Sequence, residues 1–271
     1  MTQAKGTALI TGASTGIGAI YADRLAKRGH DLILVARNRR RLASLARRLA
    51  NETGRKVETV EADLTSPADL RRVEDILRTD GGISLLVNNA GVGAAGPLLA
   101  SDVDKMADMI RLNVTALTRL TYAAVPGFVA RGNGTIINIS SIVAIAPEVL
   151  NGVYGGTKAF VLAFSHSLVH ELADKGIRVQ AVLPGATATE FWDIAGKPVH
   201  QLPAQIVMSA DDMVDAALAG LDLGETVTIP SLVDKREWDR HETARLAMSG
   251  KLSSAIPAPR YNLHKHESVS A

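Results

Sequence analysis

The chain has 271 residues, and its 30 Lys and Arg against 28 Asp and Glu leave a formal net charge of +2. Hydrophobic residues at 46% and charged residues at 21% exclude wholesale disorder, and the near-zero balance gives no electrostatic footprint for nucleic acid. The absence of cysteine excludes disulfides, a thiolate nucleophile and Cys-ligated zinc or iron–sulfur clusters. No apolar run approaches the roughly 18 residues of a membrane span, and the first residues lack a signal-peptide pattern. The expectation is a cytoplasmic protein with neither nucleic acid nor membrane as partner.

Gly and Pro divide the chain into short apolar runs and longer stretches of helical period. Residues 7–10 predict a strand and 17–28 a helix ending at Gly29. A second strand follows at 31–36, then a helix over 39–53 with Gly54 just beyond it, and a third strand at 57–61. Residues 66–77 open Ser-Pro, a helix start with proline at the first helical position. A fourth strand is predicted at 84–87, a long helix over 102–130, a fifth strand at 135–139 and another long helix over 154–175 closed by Gly176. Strands at 177–183 and 226–229 enclose a helix over 211–221. Strands that are apolar throughout and separated by helices imply a parallel sheet covered on both faces, an α/β doubly wound (Rossmann) fold of about seven strands. No linker divides residues 1–250, which read as one domain. Residues 251–271 read as a loosely attached tail, and its His264 and His266 are either a metal-binding pair or part of a polar end.

The segment Thr11-Gly-Ala-Ser-Thr-Gly-Ile-Gly18 lies between the first strand and the first helix, where glycines permit a tight turn and a helix N-terminus presents N–H groups to a pyrophosphate. Gly12, Ser14, Thr15, Gly16, Ile17 and Gly18 are the predicted nucleotide loop. After the second strand, Ala36 is followed by Arg37 where an acidic residue would select NAD. A guanidinium suits a 2′-phosphate, and Ser14 adds a hydroxyl, so the expected cofactor is NADP(H). Arg37 opens RNRRRLASLARR, with six arginines in twelve residues. Without interleaved aromatics this reads as a solvated helix face rather than a nucleic-acid patch, with Leu42, Leu45 and Leu49 packing inward.

Tyr154 and Lys158 stand at i and i+4 of a predicted helix, so a phenol and an ammonium share one face. An ammonium beside a phenol would lower the phenol pKa toward the range of a general acid. Ser140 and Ser141 follow the fifth strand, at the sheet edge where doubly wound folds bind ligands. A serine nucleophile would need a histidine base and a G-x-S-x-G elbow, and the elbow is missing.

With these residues in place, the sequence resembles the short-chain dehydrogenase/reductase family from about residue 5 to 230. TGASTGIG resembles its cofactor turn, Asp63-Leu64 the pair beside the adenine, and Asn88-Asn89-Ala90-Gly91 its NNAG motif. Asn113, Ser141, Tyr154 and Lys158 resemble its catalytic tetrad, Ser141 rather than Ser140 because the family's serine lies thirteen residues before its tyrosine. Pro184, Gly185 and Thr189 resemble the segment that holds the nicotinamide. The resemblance implies a carbonyl/alcohol oxidoreductase. Ser141 would polarise the oxygen and Tyr154 protonate it. Lys158 would lower the phenol pKa and bond the nicotinamide ribose, and Asn113 would hold a water that relays protons from Lys158. It also implies a homodimer or homotetramer formed through the helices at 102–130 and 154–175.

Substrate choice is expected in three segments beyond the strand ends, residues 92–98, 142–153 and 190–206. The last carries Phe191 and Trp192 together, either as a lid or with one ring anchoring the loop. The three segments hold a single Lys or Arg, Lys197, so a small uncharged or apolar carbonyl compound is expected, with an acyl-carrier-protein thioester as the alternative. The rival from another class is a non-catalytic NADP(H)-binding sensor or scaffold.

Overall fold

The computed structural model describes residues 5–263. His264 and His266 lie outside them. The chain divides into two compact units, Met1–Ser231 and Leu232–Ala271.

The first unit is built on seven strands: β1 Thr7–Thr11, β2 Asp31–Ala36, β3 Val57–Glu61, β4 Ile83–Asn88, β5 Gly134–Ile139, β6 Ile177–Val182 and β7 Val227–Thr228. They form one sheet in the order β3-β2-β1-β4-β5-β6-β7, with every pairing parallel. Alternating side chains serve the two faces. Ala8 and Ile10 of β1 pack with helices α1 (Gly16–Lys27), α2 (Arg39–Thr53) and α8 (Ala210–Asp222), through Tyr21, Leu42 and Val214. Leu9 faces the opposite way, toward α3 (Pro67–Thr79), α5 (Leu117–Arg131) and α6 (Gly152–Leu172), through Val73, Leu120 and Leu168. Burial on both faces is why β1, β2, β4, β5 and β6 are largely apolar, while β3 at the sheet edge (VETVE) is not.

The chain leaves β1 toward β2 and β3, then crosses back to place β4 on the other side of β1. The carboxyl ends of β1 and β4 therefore diverge into a crevice, the place where doubly wound sheets bind ligands.

The predicted helix over 102–130 is present, but one stretch of it is wound as a π-helix. It comprises α4 Val103–Ile110, a π-helical segment Arg111–Ala116 and α5. A π segment widens one turn and redirects the side chains on it, and Asn113 sits within this one. Between Ile194 and Ala210 the chain makes two short 3₁₀ turns after the four-residue α7 (Phe191–Ile194).

The second unit holds α9, Lys235–Ser249, which the sequence reading did not foresee. Its 3.6-residue period is weak because the helix is charged nearly all round. Asp234 caps it by accepting from the Arg236 amide, and Trp238 stacks on His241 at 5.2 Å.

Candidate active site

The cofactor loop is moulded against the end of β4. Thr11 Oγ1 donates to the Val87 carbonyl and accepts from the amides of Asn89 (3.0 Å) and Ala90 (3.0 Å). The Asn89 side chain donates back to the carbonyls of Thr11 (2.8 Å) and Gly12 (3.2 Å). Gly12 and Gly16 have φ of 65° and 52°, the left-handed region that favours glycine. Gly18 has another reason to be glycine: a Cβ there would lie 2.4 Å from the Gly12 carbonyl oxygen. It packs beneath the loop rather than lining the cleft. The first turn of α1 carries no acidic residue and no side-chain cap, so its N–H groups are left for an anion.

One cleft of about 1050 Å³ runs from this loop to the apolar segments beyond the strands. Its nucleotide end is walled by Ser14, Thr15, Ile17, Arg37, Asp63 and Leu64, and further along come Ala90, Gly91, Pro184, Gly185 and Thr189. Burial opposes ionisation of Asp63, but the Thr65 amide and hydroxyl and the charge of Arg37 outweigh it and hold the carboxyl below its ordinary range. The cradle of glycine backbone, open helix terminus and exposed arginine fits a dinucleotide phosphate.

At the middle of the cleft Ser141, Tyr154 and Lys158 meet, all but buried. Ser141 follows β5. Its hydroxyl accepts from the Val143 amide (3.3 Å) and donates toward the Pro184 carbonyl (3.4 Å), and it opposes the rise of the Tyr154 pKa. Its neighbour Ser140 turns away and donates to the Lys158 carbonyl (2.8 Å), bracing α6 against the sheet edge. Asn151 caps α6 by accepting from the Val153 amide, which sets Tyr154 and Lys158 one turn apart on the cleft side.

The Lys158 ammonium donates to the Ile139 carbonyl (2.9 Å) and lies 5.8 Å from the centre of the Tyr154 ring. The expected downward shift of the phenol is not what the structure gives. Burial pushes Tyr154 up to about 12, with the Ser141 hydroxyl opposing, and burial pushes Lys158 down to about 8. Taking each group out of water disfavours its charged form.

Asn113 stands behind the cleft wall. Its side-chain oxygen accepts from the Val92 amide (3.0 Å), and its NH₂ donates to the Val92 carbonyl (2.9 Å) and to Thr157 Oγ1 (3.1 Å). Thr157 in turn donates to the Tyr154 carbonyl (2.8 Å). The amide thus clamps residue 92 to α6. Thr157 was missed in the sequence, although it stands three residues after Tyr154. Gly91 completes the junction: a Cβ on it would lie 3.1 Å from the Asn113 oxygen and 3.5 Å from the Lys158 nitrogen.

The three segments expected to choose the substrate form one layer. The Asn151 amide donates to the Ala94 carbonyl (3.3 Å), and the Ala95 amide to the Ala195 carbonyl (3.1 Å). Trp192 is the anchoring ring, buried with its indole N–H on the Thr187 carbonyl (3.0 Å). Phe191 faces the site and packs on Tyr154, ring centres 5.7 Å apart. Arg41 of α2 reaches across to Glu190 at 2.7 Å, a pair invisible in the sequence.

A parallel doubly wound sheet carrying a glycine-rich cradle and a Ser-Tyr-Lys cluster defines a dinucleotide-dependent oxidoreductase. The chain matches the short chain dehydrogenase family over residues 6–198 and belongs to it; its members act on CH–OH and C=O groups. The chain is 51% identical to a short-chain dehydrogenase from Sphingobium yanoikuyae solved in complex with NADPH, covering 94% of this chain and 99% of that one at a TM-score of 0.92. It is 44% identical to the bulky-bulky ketone specific alcohol dehydrogenase from Comamonas testosteroni, over 96% and 99% of the two chains at a TM-score of 0.88. Among curated relatives, a Very-long-chain 3-oxoacyl-CoA reductase of Anas platyrhynchos is 36% identical, over 72% of this chain and 64% of the relative. The 17-beta-hydroxysteroid dehydrogenase type 3 of Danio rerio is 33% identical, over 80% and 70%. The chain thus spans about two thirds of the length of these two relatives.

Proposed function

We propose that the enzyme is an NADP(H)-dependent reductase of uncharged ketones with bulky apolar substituents, and that Asn113, Ser141, Tyr154 and Lys158 serve its chemistry. The observation that carries this reading is the convergence of Ser141, Tyr154 and Lys158 on a cleft whose far end is apolar. That end is walled by residues such as Val143, Leu150, Phe191, Leu202 and Ile206, and Lys197 also lines the cleft. The name of the Comamonas relative supports the bulky class, a larger substrate than composition alone suggested. Arg37 supports NADP(H) over NAD(H), because it stands at the end of β2 where a ribose-binding carboxylate would otherwise be.

When bound, the nicotinamide supplies the hydride. The Ser141 hydroxyl orients and polarises the carbonyl oxygen, and Tyr154, protonated at neutral pH, donates its phenolic proton to that oxygen. Lys158, still largely charged at pH 7, offsets the negative charge left on the phenol. Asn113 is a positioning residue, holding Val92 and α6 together. In reverse the same groups oxidise an alcohol. The reading includes a cytoplasmic homo-oligomer assembled through α5 and α6.

A reductase of 3-oxoacyl thioesters is the second reading, favoured by the avian relative. NADPH consumption, followed by absorbance over diaryl and aryl alkyl ketones, methyl ketones, aldehydes and 3-oxoacyl thioesters, tests both. We expect the bulky ketones to be preferred and NADPH to be used at least about tenfold better than NADH, an added phosphate contact of ordinary strength. Tyr154→Phe should lower kcat/KM at least about a hundredfold, the usual worth of a general acid. Undiminished turnover in Tyr154→Phe would sink the catalytic assignment, and preference for thioesters would select the second reading.

A further inference from the structure

We propose that Gly93, which lines no part of the cleft, is a specificity-determining residue. Lacking a side chain, it seats the Phe191 ring against Tyr154, and the ring then sets the room left beside the reacting carbonyl for the second substituent. The inference rests on the reductase reading above.

The geometry is one of exclusion. A Cβ on Gly93 would lie 2.1 Å from Phe191 Cζ and 2.6 Å from Cε2, so a side chain at position 93 cannot coexist with the ring where it now rests. Backbone freedom is not the reason for the glycine, because Gly93 does not have a positive φ. The relevant property is its missing side chain.

The backbone at position 93 is held more firmly than the ring. Gly93 follows Val92, whose amide and carbonyl are both held by Asn113, and precedes Ala94, whose carbonyl accepts from Asn151. Phe191 lies edge-on to Trp192, ring centres 5.6 Å apart at 89°, and Trp192 is tied to Thr187. Glu190, on its other side, is paired with Arg41. A methyl group at position 93 therefore displaces the ring, not the backbone. Where the ring rests now, it covers one side of the Tyr154 phenol. Whatever substituent of a ketone falls on that side is sized by Phe191, and Phe191 is placed by Gly93.

The test is a double-mutant cycle of Gly93→Ala and Phe191→Ala. It measures with NADPH the ratio of kcat/KM for a ketone with two bulky groups to that for an aryl methyl ketone. Phe191→Ala should raise this ratio at least about tenfold, since one methylene in a pocket already discriminates by roughly 10- to 200-fold. Gly93→Ala should shift the ratio at least about fivefold in the parent but less than about twofold beside Phe191→Ala, the coupling expected of residues in direct contact. Should Gly93→Ala fold poorly, the double variant should fold and bind NADPH like the parent, because the obstacle is gone. A ratio unmoved by Phe191→Ala overturns the proposal. So does a Gly93→Ala effect of equal size in both backgrounds. Parent protein without turnover of either ketone, or Tyr154→Phe as active as the parent, would instead overturn the reductase reading, and this inference with it.

Discussion

Lys158 is the residue on which stability and chemistry meet most directly. Its ammonium is buried with one carbonyl partner, and its pKa falls from 10.5 in a solvated chain to about 8 in the fold. Below pH 8 both states are protonated, and the folded state bears the full cost of burying the charge, on the order of 3 kcal/mol. Between about 8 and 10.5 the unfolded chain keeps a proton that the folded one sheds, so this cost disappears as pH rises. Tyr154 acts in the opposite sense but in a higher window, its raised pKa costing stability only as pH climbs from 10 toward 12. Urea unfolding at pH 7.5 and 9.5 should therefore show the parent gaining roughly 2 kcal/mol relative to Lys158→Met over that interval. Parallel pH dependence in the two proteins would mean that Lys158 is not desolvated as the structure has it. The Tyr-Lys spacing was legible because four residues on a helix always share a face. The sign of the phenol's shift was not, since it depends on how much protein from other segments covers the ring.

Among elements, those that write their signals locally were read nearly as they stand. Asn38 and Gly54 bracket α2 as cap and stop, and Ser66-Pro67 opens α3. The π-helical winding at residues 111–116 carries no such mark, and the residue it displays, Asn113, is bound to Val92, 21 residues away. The loop carrying Glu190 behaves likewise, fastened to α2 by an ion pair spanning 149 residues. Thr189, one residue before, lies against Gly16, where a Cβ would come within 3.1 Å of its methyl. Pair and contact together draw this loop over the cofactor cradle. Glu190→Gln should speed NADPH dissociation by about two- to fivefold in low salt, as suits an exposed ion pair, and the difference should vanish near 0.5 M NaCl. Stopped-flow displacement measures it. Equal rates in parent and variant at low salt would show that the pair does not restrain the cofactor.

For the molecule as a whole, the surface of the first unit carries a row of aromatic rings that is only partly taken into the core. Tyr122 of α5 stacks on Phe164 of α6 at 6.4 Å, Phe164 on Phe160 at 5.8 Å, and Tyr122 remains 70% exposed. The sequence pointed to these helices only through resemblance, because an apolar position reads the same whether it meets the sheet or another subunit. The structure separates buried positions from exposed ones. Leu120, Ala124 and Leu168 face the sheet, Phe164 is half-buried against the same core, and Tyr122 and Phe160 are exposed. Aromatic rings exposed in a row are costly on a monomer's surface and are enriched at subunit contacts. A two-fold axis across α5 and α6 would bury the row against its own copy, giving a dimer, and a second such contact elsewhere would give a tetramer. Light scattering at micromolar concentration should return a multiple of 28.6 kDa. Tyr122→Lys together with Phe160→Glu should move the mass toward that of one chain while leaving NADPH binding intact, since neither residue lines the cleft. A monomeric mass for the parent would end the oligomer reading. An oligomer indifferent to both charges would place the interface on another face.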